Sequence, residues 1–198
     1  MYTLVIKRLI DLIISIIILP IFILVLLLVG PLIWLEDRGP VFYLGKRRGL
    51  KGKVFHMYKF RSMKVDSEDI RNPDNTTYNS PKDPRLTKVG RVIRATSIDE
   101  LPQILNIIKG DMSWVGPRAA IPKDDYTWND LNAKQQKRLT VRPGITGYTA
   151  VLYRNSIKPE EKLTHDCYYV DNISLCLDAK IFLLTIPSVL KKRDVYRN

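Results

Sequence analysis

The chain has 198 residues, long enough for one domain with its own core and too short for two. Its 32 Lys and Arg against 20 Asp and Glu leave a formal net charge of +12, which favours polyanionic partners: phosphorylated substrates, anionic lipid or nucleic acid. Cys167 and Cys176 form no CxxC or zinc-type spacing and only His56 and His165 accompany them, which argues against a structural metal site and reads as two reduced core thiols in a cytoplasmic setting.

Leu12 to Leu35 is almost wholly apolar, interrupted only by Ser15, Pro20, Gly30 and Pro31. As one helix it is roughly 36 Å long, enough to cross a bilayer. It is long for the apolar stretch of a signal peptide, and no small-residue cleavage site precedes Glu36-Asp37, so it is expected to persist in the mature protein. Pro20 lacks an amide hydrogen and is expected to kink this run or break it into two halves, each too short to span alone. Lys7 and Arg8 precede the run, while Arg38, Lys46, Arg47, Arg48, Lys51 and Lys53 follow it. Because positive charge stays on the cytoplasmic side, a re-entrant helix-break-helix is favoured over a kinked single span, which would strand one cluster outside.

Val41-Phe42-Tyr43 and Val54 to Tyr58, separated by the Gly49 to Gly52 turn region, predict a short hairpin directly under the membrane. Asp66 to Pro84, rich in Asn, Asp, Ser, Thr and Pro, predicts a surface loop. Leu101, Ile104, Leu105 and Ile108 have helical spacing, with Lys109-Gly110 as a stop. Ser97 to Glu100 matches a capping box, but a start nearer Asp99 puts Pro102 in the tolerant first turn. Trp128 to Leu139 predicts a polar helix. Leu177 to Lys192 predicts an apolar one, broken by Pro187 and ending in Lys191-Lys192-Arg193, that either lies in the membrane interface or packs in the core.

Asp99-Glu100 is one of five adjacent acid pairs, with Glu36-Asp37, Glu68-Asp69, Asp124-Asp125 and Glu160-Glu161. A carboxylate at a helix N-terminus sits in a field that stabilises its anion, beside free amides suited to phosphate. Arg91, Arg94 and Arg118 are close in sequence, and Arg142 precedes the turn Pro143-Gly144-Ile145-Thr146-Gly147, whose amides suit an anion. A carboxylate can attack phosphorus to give an acyl phosphate, and a neighbouring Glu suits Mg²⁺. The alternative is that Asp99 and Glu100 cap a helix and pair with Arg94, the arginines being ordinary surface or lipid contacts.

The combined pattern resembles the bacterial sugar transferase family, the monotopic polyprenyl-phosphate phosphoglycosyl transferases. It rests on Tyr58-Lys59-Phe60-Arg61-Ser62-Met63, Ile93-Arg94, Ser97 to Gln103, Lys109 to Arg118 and Val141 to Gly147, extended by Asp166 to Tyr169 and Leu177 to Lys180. The resemblance covers nearly everything from Lys7 to Leu190 and is to the minimal form of the family. It implies that Asp99 attacks the β-phosphate of a UDP-sugar, releasing UMP and carrying a covalent phosphosugar, with Glu100 binding Mg²⁺. Polyprenyl phosphate, expected to be undecaprenyl phosphate, then takes the phosphosugar to begin a glycan. Lys59, Arg94 and Arg118 match positions associated with the site and phosphate binding, and Arg142 is added from its motif.

The implied fold is a helix-rich α+β protein: residues 1–36 as a re-entrant membrane hairpin, and residues 37–198 as one cytoplasmic catalytic unit with a small β-hairpin and interfacial helices, at the inner membrane of a bacterium. Membrane lipid is an expected partner and nucleic acid is not. Leu19 stands where the family has Ser before the kinking Pro20, Ala119 where a second Pro follows Arg118, and Tyr148 to Arg154 departs from the usual Leu-Ala-Gln-Val segment. A non-enzymatic basic membrane-surface binding protein is the rival reading; it accounts for the charge and the apolar run but not for the clustered Gly-Asp-Met-Ser and Arg-Pro-Gly-Ile-Thr-Gly turns.

Overall fold

A computed structural model describes residues 2–72, 78–122, 127–153 and 157–190. After a π-helical turn, Tyr2–Ile6, the apolar run forms one helix, α1, Lys7–Asp37. The element is continuous through Pro20 and Pro31, so the break at Pro20 that the sequence pattern favoured over a kinked single helix is absent. The two prolines are 11 residues apart, a spacing that returns to within about 20° around a helix, and both are exposed. The amide hydrogen missing at Pro20 would have met the carbonyl of Ile16, itself on the outer face, so the loss spares the packed side. α1 ends where Arg38 takes a left-handed conformation, its N–H donating to the Trp34 carbonyl and its guanidinium lying 4.3 Å from the Trp34 ring centroid.

One stripe of α1 is packed along its whole length. Asp11, Ser15, Phe22, Gly30 and Ile33 are buried. Phe22 and Ile33 share a core with Phe60, Ile93 and Ile104, flanked by Ile18, Leu19, Val25, Leu26 and Val29. Burying side chains of this kind contributes about 1.5–3 kcal/mol each, so Phe22→Ala would open the joint between helix and body. The opposite face, including Ile13, Ile16, Ile17, Leu24, Leu27 and Leu28, is exposed.

The predicted hairpin is present and longer than expected: β1, Phe42–Arg48, pairs antiparallel with β2, Val54–Phe60, from Phe42 opposite Phe60 to Arg48 opposite Val54. A 3-10 turn, Leu50–Gly52, closes it, with Gly52 at φ +77°. The predicted loop carries no helix or strand among its described residues. Next come α2, Lys88–Ala95, a 3-10 turn, Ile98–Gln103, and α3, Ile104–Lys109. Glu36 at the end of α1 accepts from the amides of Lys88 and Val89, and Thr87 caps the same helix, so α2 begins against the exit of α1.

β3, Ser113–Val115, and β4, Gly144–Thr146, form a parallel pair that the sequence pattern did not suggest. Their two backbones approach so closely beyond β3 that a Cβ on Gly116 or Gly144 would collide with main-chain atoms of the other segment. Between them, α4 is Ala133–Arg138, started by an Asn132–Gln135 capping box and shorter than the predicted polar helix. α5, Tyr148–Leu152, and α6, Pro159–Asp171, follow. α7, Leu175–Leu190, runs through Pro187 without the expected break; its predicted basic end lies outside the described residues. Cys167 is buried, but Cys176 on α7 is exposed, so only one of the two thiols belongs to the core.

Candidate active site

The chain leaves α2 through Ser97, whose φ of 58° is left-handed, and this reversal turns the next residues into the 3-10 turn instead of a capped α-helix. Ser97 makes no capping bond, so the capping box is not formed. Pro102 sits inside the 3-10 turn, which hands over to α3 at Ile104. The consequence is that Asp99 and Glu100 project into one large cleft of about 1380 Å³, which also takes Lys59 from β2, Arg94 from α2, Arg118 beyond β3 and the Gly144 to Gly147 turn.

The two acids have different surroundings. Glu100 Oε1 receives Lys59 Nζ at 2.7 Å and Arg118 Nη2 at 3.4 Å, while its Oε2 accepts nothing from the described residues. Asp99 is 8% exposed, and its carboxylate accepts no hydrogen bond from a described residue. Burial, reinforced by the Glu100 charge, pushes Asp99 up to about 6, against the pull of Lys59, Arg94 and Arg118. Burial also raises Glu100, but Lys59 and then Arg118 outweigh it and hold that carboxyl well below its ordinary value. The expected stabilising field at a helix start is therefore overridden at Asp99 by desolvation.

Three of the predicted binding residues line the cleft around this pair: Lys59, Arg94 and Arg118. Arg118 is held through its backbone, which bridges to Gly144 and whose carbonyl accepts from Arg138 Nη2 at 2.6 Å, so Ala119 does not leave it unanchored. Arg142 is not brought there. Its Nε donates to the Gly110 carbonyl at 2.8 Å, beside Arg8, whose guanidinium binds the Ile107 and Ile108 carbonyls. The two arginines finish the C-terminus of α3, an ordinary task for cations at a helix end. Pro20 lies on the outer face of α1, outside the cleft lining.

Of the other acid pairs, Glu36 caps α2 and Asp37 pairs with Arg61, Asp69 pairs with Arg71 near the surface, and Glu160-Glu161 form the first turn of α6. Asp124-Asp125 and Arg154 lie outside the described residues. The cleft adds Tyr43 and Arg47 from β1 and Asp166 from α6, which sequence reading did not select as site residues. Asp166 is engaged by Thr149 at 2.6 Å and Arg138 at 2.8 Å and fastens α5 and α4 to α6. Tyr43 and Arg47 carried a signal in their alternation along one strand face.

A metal held by protein alone does not suit this cleft, since no group of three or more His, Cys, Asp or Glu gathers among the described residues. Mg²⁺ usually takes one or two carboxylates together with substrate phosphates, and the uncommitted Oε2 of Glu100 at the cleft suits that arrangement.

The model of the family described as bacterial sugar transferase matches residues 2–192. The sugar transferase EpsL of Bacillus subtilis is 43% identical, over 96% of this chain and 90% of that protein. A UDP-N-acetylgalactosamine-undecaprenyl-phosphate N-acetylgalactosaminephosphotransferase of Aeromonas hydrophila is 38% identical over 93% of this chain. An undecaprenyl-phosphate galactose phosphotransferase of Salmonella typhimurium is 35% identical over 96% of it. The chain spans 44% and 41% of those two longer proteins. With similarity running from residue 2, ahead of α1, to residue 192, past the end of α7, the chain belongs to the bacterial sugar transferase family.

Proposed function

We propose that this protein transfers a phosphosugar from a UDP-sugar to a polyprenyl phosphate, in two displacements through Asp99. The observation that carries the reading is the contrast within the acid pair: Glu100 is fixed by two cations, whereas Asp99 is buried with its carboxylate uncommitted among the described residues. An acid so placed is a nucleophile in waiting. The relatives named as undecaprenyl-phosphate sugar phosphotransferases support the substrate class.

In the first displacement an Asp99 oxygen attacks the β-phosphorus, forming a P–O bond as the bond from that phosphorus to the bridging oxygen breaks. UMP leaves with the electron pair, and an aspartyl phosphosugar remains. In the second, a phosphate oxygen of the polyprenyl phosphate attacks the same phosphorus and the Asp99 carboxylate departs, restoring the enzyme. Lys59 and Arg118 neutralise charge gathering on phosphate oxygens, and Arg94 acts on Asp99 itself. Glu100 would hold Mg²⁺, which when bound neutralises diphosphate charge.

Membrane attachment follows the same reading. Asp11 near the start of α1 accepts from Ser113 and Trp114, and Asp37 at its end pairs with Arg61. With both ends fastened to one body, a crossing of the roughly 30 Å hydrocarbon core is disfavoured. α1 then rests in one leaflet with its outer apolar face, including both prolines, toward lipid, and the catalytic body stays on the cytoplasmic face.

Incubation with a UDP-sugar and no acceptor tests the mechanism: one equivalent of UMP and a phosphosugar mass adduct on Asp99 are expected, discharged by polyprenyl phosphate. UMP formation only when both substrates are present, with no adduct, overturns the covalent route.

A further inference from the structure

Alternation along β1 places Tyr43, Gly45 and Arg47 on one face, and the register sets Tyr43 directly opposite Lys59. Lys59 in turn holds Glu100 at 2.7 Å, so this strand face and the acid pair open onto the same cleft. Gly45 matters by what it lacks: a Cβ there would lie 2.9 Å from Tyr43 Cε1 and 3.3 Å from Arg47 Nη1. The ring and the guanidinium therefore close over bare backbone from either side, making one surface of aromatic ring and cation.

Both groups have capacity to spare. Tyr43 is 52% exposed and no other ring among the described residues stacks on it. Arg47 Nη1 donates to the Lys46 carbonyl at 2.8 Å, and its Nε and Nη2 donate to no described residue. Charges along the cleft are also ordered. Arg94 acts on Asp99, Lys59 and Arg118 on both acids, and Arg47 faces Glu100, Arg118 and Tyr43. A diphosphate whose attacked phosphorus sits at Asp99 can then lay its second phosphate toward Glu100, Arg118 and Arg47.

We infer that the Tyr43–Arg47 face of β1 is the subsite for the nucleotide half of the donor, with Arg47 on the departing phosphate and the Tyr43 ring under the base. This rests on the phosphotransfer reading above. A guanidinium suits a phosphate through its planar fork of donors, and a single exposed ring suits a planar base through its face. Burial lowers the Arg47 pKa first of all, and an anion beside it offsets that cost.

Calorimetric titration of the full-length protein in lipid nanodiscs with UMP and with uridine tests the assignment. Arg47→Gln is expected to weaken UMP about tenfold or more while changing uridine by less than about twofold. Tyr43→Ala is expected to weaken both ligands about fivefold or more, with affinity restored in Tyr43→Phe. Arg94→Gln should weaken UMP less than Arg47→Gln does. Wild-type UMP affinity in Arg47→Gln, or equal loss of UMP and uridine in that variant, overturns the subsite. The outcome separates from the parent reading: a wild-type protein that binds UMP in this pattern but releases none from any UDP-sugar overturns phosphotransfer alone, whereas normal UMP release with an insensitive Arg47 overturns the subsite alone.

Discussion

Asp178 and Asp99 are buried to nearly the same degree, at 7% and 8% exposure, in two regions that treat a carboxylate in opposite ways. At the junction of α7 with the start of α1, Asp178 accepts from Tyr2 and Lys7 at 2.6 Å and from Tyr169 at 2.7 Å. Asp83, Asp166 and Asp11 are likewise engaged by donors. In the cleft, Asp99 has cations around it but no hydrogen bond from a described residue. Acids that hold elements together are saturated with donors, because a buried charge is tolerable only when paired. The acid proposed as nucleophile lacks such donors, at a cost in stability.

The largest effect expected from breaking this contrast is on rate. Asp99→Asn should lower UMP release by about three orders of magnitude or more, since the proposed nucleophile is gone. The same variant should raise the melting temperature at pH 7 by roughly 5 °C, because it removes a buried unpaired charge. A thermal scan showing clear destabilisation would place Asp99 among the structural acids instead.

Asp178→Ala should do the reverse. It leaves Lys7 and the Tyr2 hydroxyl without their acceptor and Tyr169 with only the Val115 carbonyl at 3.2 Å, and should cost about 3–5 kcal/mol, read by denaturation in detergent. A loss under about 1 kcal/mol would mean that the junction is not fastened by this acid.

pH sharpens the comparison within the acid pair. Asp99 has a raised pKa, so its contribution to stability is present in acid and is lost as pH rises from its ordinary range through about 6. Glu100 has a lowered pKa, so its contribution is present above its ordinary range and is lost as pH falls toward about 2. UMP release should therefore climb with pH through an apparent pKa near 6, as Asp99 becomes ionised. A rate profile flat from pH 5 to 8, the range over which such an acid titrates, would contradict an Asp99 nucleophile with this environment.

The smallest effect belongs to Arg142. Arg142→Ala should cost about 1 kcal/mol through the lost bond to Gly110, and should lower kcat/KM less than Lys59→Ala or Arg118→Ala. Parallel melting and initial-rate measurements on the three variants decide it.

Local chemistry carried much of this protein into the sequence. The apolar run, the hairpin with its glycine turn, the loop after Asp66 and the amphipathic stretch ending at Gly110 were legible because each depends on neighbours a few residues away. α6 carries a readable signal as well, a Pro at its first position followed by Glu160 and Glu161. The parallel β3–β4 pair was not legible, because two three-residue strands far apart in the chain, with Ser113 paired to Gly144, leave almost no periodicity. Arg142 was misplaced for a related reason: a motif gives sequence position, but the side chain turned away from the cleft to finish α3.

The sequence by itself determined that one long apolar helix precedes a basic body, because composition records that directly, and its family resemblance singled out Asp99-Glu100 with Lys59, Arg94 and Arg118, which the fold brings to one cleft. Only the tertiary structure decided how that chemistry is shared out. Burial and partner count are properties of the packed chain, and they made Glu100 the tethered acid, Asp99 the uncommitted one, and Pro20 a residue on the outer face of an unbroken helix.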